Sequence, residues 1–317
     1  MLKYLIIPLT ANATSFCHYQ PGTDPQLIDL DLLKKALRWS MQQNLTVQFI
    51  YPDTPLPEEY KAVIESVDHT DIIDATCTDD ALQNDITVIN DWTTAADIKY
   101  DATKVYVIRT TLDNLIVNAE IVKHIIPNVG RLVIVIIDVE RQTDASLENY
   151  RQLLEQLADI VAAEYVAGHA VQLNLLTDRI MLNEMNNCNA GSESITLAPD
   201  GHFYICPAFY LDGSDNVGDL DTGLDIKNRQ LYQLDHAPIC RICDAWQCRR
   251  CPWISRILTH EVNTPGRQQC VMAHLERNAS LLLLDKIRIH GTFLPDLEIP
   301  QIDYLDPFDY LIKIHNL

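Results

Sequence analysis

The chain predicts an α/β fold in two parts, a partial parallel (β/α) barrel followed by a small, loop-rich domain. Three observations predict it. Short, largely apolar runs alternate with helical patterns up to about residue 176. The composition then changes at about Asn186, from strand-helix rhythm to Gly, Pro, Asn and Asp. Finally, seven of the nine cysteines fall between residues 188 and 270. A length of 317 residues suits two domains at about 150 residues each.

The strand expectations, in order, are 2–8, 45–51, 72–75, 86–89, 105–108, 132–137 and 170–175. Most are rich in β-branched residues and apolar on both faces, as buried parallel strands are. Helical periodicity is clearest at 26–44 (Leu27, Leu30, Leu33, Leu37, Met41), at 111–125, and at 144–166 (Leu147, Leu154, Leu157, Ile160, Val161). A doubly wound open sheet would give the same rhythm. A further helix is expected from Arg267 to about Leu284, and the tail holds Leu297, Ile302, Tyr304, Phe308, Tyr310 and Leu311, enough to dock. The expected division is 1–185, 186–285 and a docking tail at 286–317.

Charge narrows the partners. Lys+Arg 24 against Asp+Glu 44 gives −20, which repels phosphate backbones and argues against nucleic acid. Residues 186–280 carry only −3 of this, so the cysteine segment is relatively basic. The apolar start from Tyr4 to Ile7 is too short for a signal peptide, and no segment reaches the roughly 18 apolar residues of a membrane span. A cytoplasmic protein with no membrane partner is expected, and there cysteines serve as metal or redox ligands rather than in disulfides.

Cys188, Cys206, Cys240, Cys243, Cys248, Cys251 and Cys270 read C-x12-G-x4-C, a 33-residue gap, C-x2-C-x4-C-x2-C, then x18-C. C-x2-C places two thiolates on one metal or cluster. Zinc is the alternative, but zinc ribbons separate their pairs by roughly 15 to 20 residues, whereas only four lie between Cys243 and Cys248. Iron-sulfur clusters accept such tight runs, and Pro follows both Cys206 and Cys251, as it follows the last ligand of the bacterial ferredoxin run.

This pattern resembles the SPASM domain, the twin-cluster C-terminal module of radical SAM enzymes that modify peptides and proteins. The stretches "MNNCNAGSESITLAPDGHFYICPAFY", "HAPICRICDAWQCRRCPW" and "QQCVMAHLERNAS" resemble, more narrowly, the maturases associated with CXXX-repeat peptides. The resemblance implies a barrel of radical SAM type and two [4Fe-4S] clusters. It assigns Cys240, Cys243, Cys248 and Cys270 to one cluster and Cys188, Cys206 and Cys251 to the other. Only Ser192, Glu193 and Ser194 stand where some relatives supply a fourth ligand to the second, and the spacings x4 and x2 depart from the commoner x5 and x3. Arg241, Arg249, Arg250, Arg256 and Arg267 lie among the ligands, either as counter-charges to an anionic cluster or as a surface salt-bridge face. Trp246 and Trp253 would shield the clusters from water.

Radical SAM enzymes carry C-x3-C-x2-C after their first strand, where three thiolates leave one iron open to SAM. The matching segment here, "TANATSFCHYQ", puts Ala11, Ser15 and His18 at those three positions, with Cys17 out of register. The second SAM element, a G-G-E turn, corresponds to Tyr51, Pro52 and Asp53, and Pro52 has no N–H to offer a ligand. The expectation is therefore a degenerate barrel that does not bind SAM in the usual way. Cys17 and Cys77 read otherwise as ordinary buried thiols, and His18 as a loop histidine.

A barrel exposes polar residues at the C-terminal ends of its strands, here Asp53, Asn90, Arg109, Asp138, Glu140, Asn174 and Asp178. His18, Cys17, Asp138 and Glu140 are the weak catalytic candidates. The function expected is that of an iron-sulfur protein in a ribosomal-peptide maturation system, holding a cysteine-rich CXXX-repeat peptide without the usual radical chemistry. A second maturation protein is a further expected partner. The alternatives are a peptide-modifying enzyme using auxiliary clusters or a barrel-top metal, and a zinc-stabilised structural protein.

Overall fold

The computed structural model describes residues 2–77, 85–181, 188–243, 248 and 251–299. In chain order the main elements are β1 (Tyr4–Pro8), α1 (Leu30–Gln42), β2 (Thr46–Ile50), α2 (Glu58–Ile64), β3 (His69–Asp74), β4 (Ile86–Ile89) and α3 (Trp92–Asp97). There follow β5 (Val105–Thr110), α4 (Leu112–Val117), α5 (Ala119–Ile125), β6 (Arg131–Ile136), α6 (Asp144–Val166), β7 (Gln172–Leu173) and α7 (Asp178–Met181). The rest is β8 (Ser194–Leu197), β9 (Phe203–Tyr204), α8 (Pro207–Leu211), β10 (Gly218–Asp219), β11 (Gly223–Leu224), α9 (Pro252–Thr259) and α10 (Arg267–Arg288).

The chain divides into two units, residues 1–90 with 189–233, and residues 91–188 with 234–317. In the first, the strands run in the order β4-β3-β2-β1-β8-β9, parallel except for the antiparallel β8-β9 pair. Its core gathers Leu5, Ile7 and Leu9 with Val47 and Phe49, covered by Leu33, Ala36 and Leu37 of α1. Burial of apolar surface at about 25 cal/mol per Å² is the dominant drive here. The β8-β9 turn explains the glycine of C-x12-G-x4-C. Gly201 closes a turn on the Ala198 carbonyl at 3.0 Å with φ +86°, a conformation a Cβ would strain.

In the second unit β5, β6 and β7 pair in parallel, with β5 and β6 in register from Val105↔Arg131 to Thr110↔Ile136. Helix α6 spans the whole expected segment because Thr143 and Ser146 cap its start reciprocally, each backbone N–H reaching the other's hydroxyl. Two expectations change. The helix expected over 111–125 breaks at Asn118, whose amide Nδ2 donates to the Asn114 carbonyl at 2.8 Å and whose φ and ψ are −101° and 23°. A side chain that competes for backbone carbonyls favours such an end. The strand expected over 170–175 shrinks to two residues, because the Asn174 side chain takes over the ladder, accepting from Ile134 N–H at 2.8 Å and donating to its carbonyl at 3.0 Å.

Among the described residues no helix is long and apolar enough to cross a membrane. The expected tail contacts of Ile302, Tyr304, Phe308, Tyr310 and Leu311, like Trp246, Arg249 and Arg250, lie outside the described residues.

Candidate metal centre and strand-end site

Six of the seven clustered cysteines belong to the second unit, and Cys206 alone to the first. Cys240 opens a 3₁₀ turn, Cys240–Ile242, and the Cys243 N–H donates to the Cys240 carbonyl at 3.1 Å. Side chains three residues apart on such a turn eclipse one another. C-x2-C is thus a local device that sets two thiols on one side of the chain, with Cys240 buried and Cys243 half-buried. Cys248 is half-buried.

Cys251 is the N-cap of α9, with Pro252 in the first helical position. Cys206, in the first unit, has the same place before α8, followed by Pro207. Both prolines thereby have a second explanation, since the missing N–H costs nothing at a helix start and the ring presets φ. Cys270 lies in the first turn of α10, its N–H donating to the Gly266 carbonyl at 3.3 Å, while Gly266 N–H is taken by the Gln269 side chain at 3.0 Å. A helix start favours negative charge and so favours thiolate over thiol. Cys188 is exposed, and none of the nine cysteines is in a disulfide.

One contact ties these elements together. His274 follows Cys270 by one helical turn, is fully buried, and places its Nε2 3.2 Å from Cys243 Sγ. Cys243 is therefore tied to the helix that carries Cys270, and Cys240 is one 3₁₀ turn away. The helix that carries them is firmly held. Glu276 of α10 accepts from Tyr150 Oη of α6 at 2.8 Å and pairs with Arg179 Nη2 of α7 at 2.6 Å, and Ser280 Oγ donates to the Leu176 carbonyl at 2.6 Å. Burial and the neighbouring Glu276 push the Tyr150 phenol well above its ordinary value, so it stays a donor.

The arginine expectation divides. Arg241 is exposed, and Arg267 is exposed and 3.4 Å from Asp144, a surface pair. A buried cation that the spacing did not single out is Arg277, only 2% exposed on α10. Trp253 is half-buried in the first turn of α9.

Among the described residues no group of three or more His, Cys, Asp or Glu is placed to hold a single metal ion. The fit to an iron-sulfur group rests instead on donor chemistry. The 3₁₀ turn pairs Cys240 with Cys243, Cys251 and Cys270 stand at two helix starts, and a buried histidine reaches Cys243. The donor set here, thiols with a buried histidine beside one of them, has the chemistry such a group takes.

The strand-end region of the first unit is built differently. Asp74, the last residue of β3, accepts from Asn90 Nδ2 at 2.7 Å and Thr14 Oγ1 at 3.2 Å with one carboxylate oxygen, and from the Thr76 N–H and hydroxyl with the other. Burial, and then the nearby Asp74 charge, raise the Asp53 carboxyl above its ordinary value. Tyr51 is 3% exposed and its carbonyl accepts from Thr14 N–H at 3.3 Å. Ser15 is fully buried, its hydroxyl 3.4 Å from the Cys17 N–H. His18 Nδ1 is buried without a hydrogen-bond partner. Cys77 packs on the core of this unit, as an ordinary thiol does.

Asn90 and Asp53 therefore join one polar cluster, and Asp74 and Thr14 are the members sequence reasoning missed. Asp74 closes an apolar strand, which was the signal available. The remaining strand-end residues take structural roles. Asp138 Oδ1 accepts the Leu112 N–H at the start of α4 at 2.9 Å, and Glu140 lies beside Arg141 at 3.4 Å. Arg109 is buried in β5. Asp178 is a correction, because it pairs with Arg131, the first residue of β6, and so lies at the N-terminal end of that strand.

No protein-family model and no curated protein matches the chain. Solved structures do resemble it. Native anSMEcpe with bound AdoMet and the Kp18Cys peptide aligns with a TM-score of 0.62 at 12% identity, over 91% of this chain and 99% of that one. Histidine-tagged anSMEcpe with bound AdoMet gives 0.60 at 12% identity, over 90% and 98%. The form with AdoMet and the Cp18Cys peptide gives 0.60 at 12%, over 91% and 98%. At this identity the likeness shows the fold: the chain has the mostly parallel α/β fold of radical SAM type that its sequence predicts.

Proposed function

We propose that this chain is an iron-sulfur protein of a ribosomal-peptide maturation system, which holds a cysteine-rich CXXX-repeat peptide and does not perform the usual radical SAM chemistry. The observation that carries it is a contrast within one chain. Thiols are gathered over 188–270, on a turn and on helix starts, while Ala11, Ser15 and His18 stand where a SAM-binding cluster would need three thiolates. Two further features support it. The Tyr51 carbonyl of the SAM turn is taken by Thr14, and Pro52 has no N–H to give.

The anSMEcpe structures hold AdoMet and, in two cases, a peptide. A fold of this kind can thus present a peptide, and the peptide is the part of that precedent we carry over. Two [4Fe-4S] clusters would be held by the two cysteine sets, in a SPASM-like domain over 186–285. Bound there, such clusters supply electrons or an open iron. This chain's residues would supply the thiolates, the burial at Cys240 and Cys251 and a site for the substrate's own thiolate, since Cys188, Cys206 and Cys251 are three. A second maturation protein would then perform the chemistry, in the cytoplasm.

Binding of a synthetic CXXX-repeat peptide to the anaerobically purified chain tests this reading. Cys188→Ser and Cys206→Ser should each lower the affinity at least tenfold, about 1.4 kcal/mol. Unchanged affinity in both would contradict the role given to that cysteine set, and turnover of the peptide by the isolated chain would contradict the non-catalytic role.

A further inference from the structure

We propose that His274 is a hydrogen-bond donor to the Cys243 sulfur within the four-cysteine site, and that this bond raises the site's reduction potential. The inference rests on the iron-sulfur reading of Cys240, Cys243, Cys248 and Cys270. Its own basis is geometric. His274 Nε2 lies 3.2 Å from Cys243 Sγ, and the ring is 0% exposed, so water does not compete for the sulfur from the imidazole side.

The placement follows from the helix. Positions 270, 274 and 277 of α10 share one stripe, because residues four and three apart superpose along the axis. The stripe carries Cys270, His274 and the buried Arg277. A ligand, a ring N–H and a buried cation therefore face one side, and α10 is locked in rotation by Glu276 on its Tyr150 and Arg179 partners. That lock keeps the His274 backbone in place, and its buried ring stays beside Cys243. It acts through Cys243, so it is a positioning and tuning residue.

Thiolate ligands accept hydrogen bonds and donate none. A donor on a ligand sulfur stabilises the reduced cluster more than the oxidised one, because the reduced form carries one more electron. Hydrogen bonds to the sulfurs are among the factors that set cluster potentials, and a low local dielectric strengthens them. No bond is made or broken in this role.

The test uses the full chain, purified anaerobically, as wild type, His274→Leu and His274→Gln. Iron and sulfide are measured first. About four of each on the four-cysteine site support the underlying reading, and none would overturn both it and the inference. Redox titration followed by electron paramagnetic resonance comes next. His274→Leu should keep its iron and shift one potential negative, and His274→Gln, which retains an N–H, should shift it less. An unchanged potential in a fully loaded His274→Leu protein would overturn the inference alone and leave the cluster reading in place. Should His274→Leu fail to fold, the wild type labelled with ¹⁵N-histidine decides. A weak nitrogen coupling to the reduced cluster supports an N–H to sulfur bond. No coupling, or the strong coupling of a directly bound imidazole, overturns it.

Discussion

The strand ends of the first unit and the cysteine turns of the second use polar groups in opposite ways. Around Asp74 the groups satisfy one another: Asn90, Thr14 and Thr76 all donate to the same carboxylate, and Tyr51 spends its carbonyl on Thr14. Around Cys243 the backbone serves the side chains, with a 3₁₀ turn and helix starts arranging thiols and a buried histidine reaching one of them. The lesson is that buried polar groups must find partners wherever they lie, because a buried unsatisfied group costs about 1–3 kcal/mol.

The comparison breaks first at the cysteines. Cys243→Ser or Cys270→Ser should remove about four iron per chain, while Cys17→Ser and His18→Ala should remove none. Iron analysis on the four variants checks this, and iron loss in either of the last two would transfer chemistry back to the strand ends.

Next comes the lock on α10. Glu276→Ala strips the carboxylate from Arg179, whose side chain is only 4% exposed, and should cost about 3–5 kcal/mol in urea unfolding. A cost below about 1 kcal/mol would show that the helix is not held by this pair. Asp74→Ala should cost less, about 1–3 kcal/mol, by orphaning the Asn90 and Thr14 donors. The same measurement serves.

The smallest expected effect is a pH dependence. His69 Nε2 lies 3.3 Å from the Asp71 carboxylate, which is 2% exposed, and this neighbour chiefly raises the histidine above its ordinary value. A raised folded value means that the stabilisation is complete below the unfolded value of about 6.5 and fades as pH rises through the folded one. Unfolding midpoints should therefore fall as pH rises above about 6.5, and the fall should shrink in His69→Gln.

Much of the frame was legible beforehand. The runs at 2–8, 45–51 and 86–89 became β1, β2 and β4 nearly residue for residue, because apolar β-branched runs between loops have few other uses. The helix expected over 26–44 starts only at Leu30, where the Asp29 side chain caps it by accepting the Leu32 N–H at 2.9 Å. The Asn118 break and the Asn174 substitution for a ladder were hidden, since each depends on one side chain's choice of a backbone partner. Asp178 was misplaced because its partner, Arg131, lies 47 positions away. For the candidate centre, the spacing of the thiols was plain, and Gly201 needed only its turn to explain it. His274 was readable as C-x3-H on an expected helix, but its meaning came from Cys243, which no periodicity joins to it.

The central claim is that the thiols of 188–270 hold the chemistry and the first strand end does not. Iron, sulfide and zinc analysis of the anaerobically purified chain, with an absorption spectrum, tests it most directly. The account predicts about eight iron and about eight sulfide per chain, two four-iron clusters and no third. About twelve iron would place a cluster at the strand end after all, and zinc without sulfide would contradict the iron-sulfur reading of every cysteine in the set.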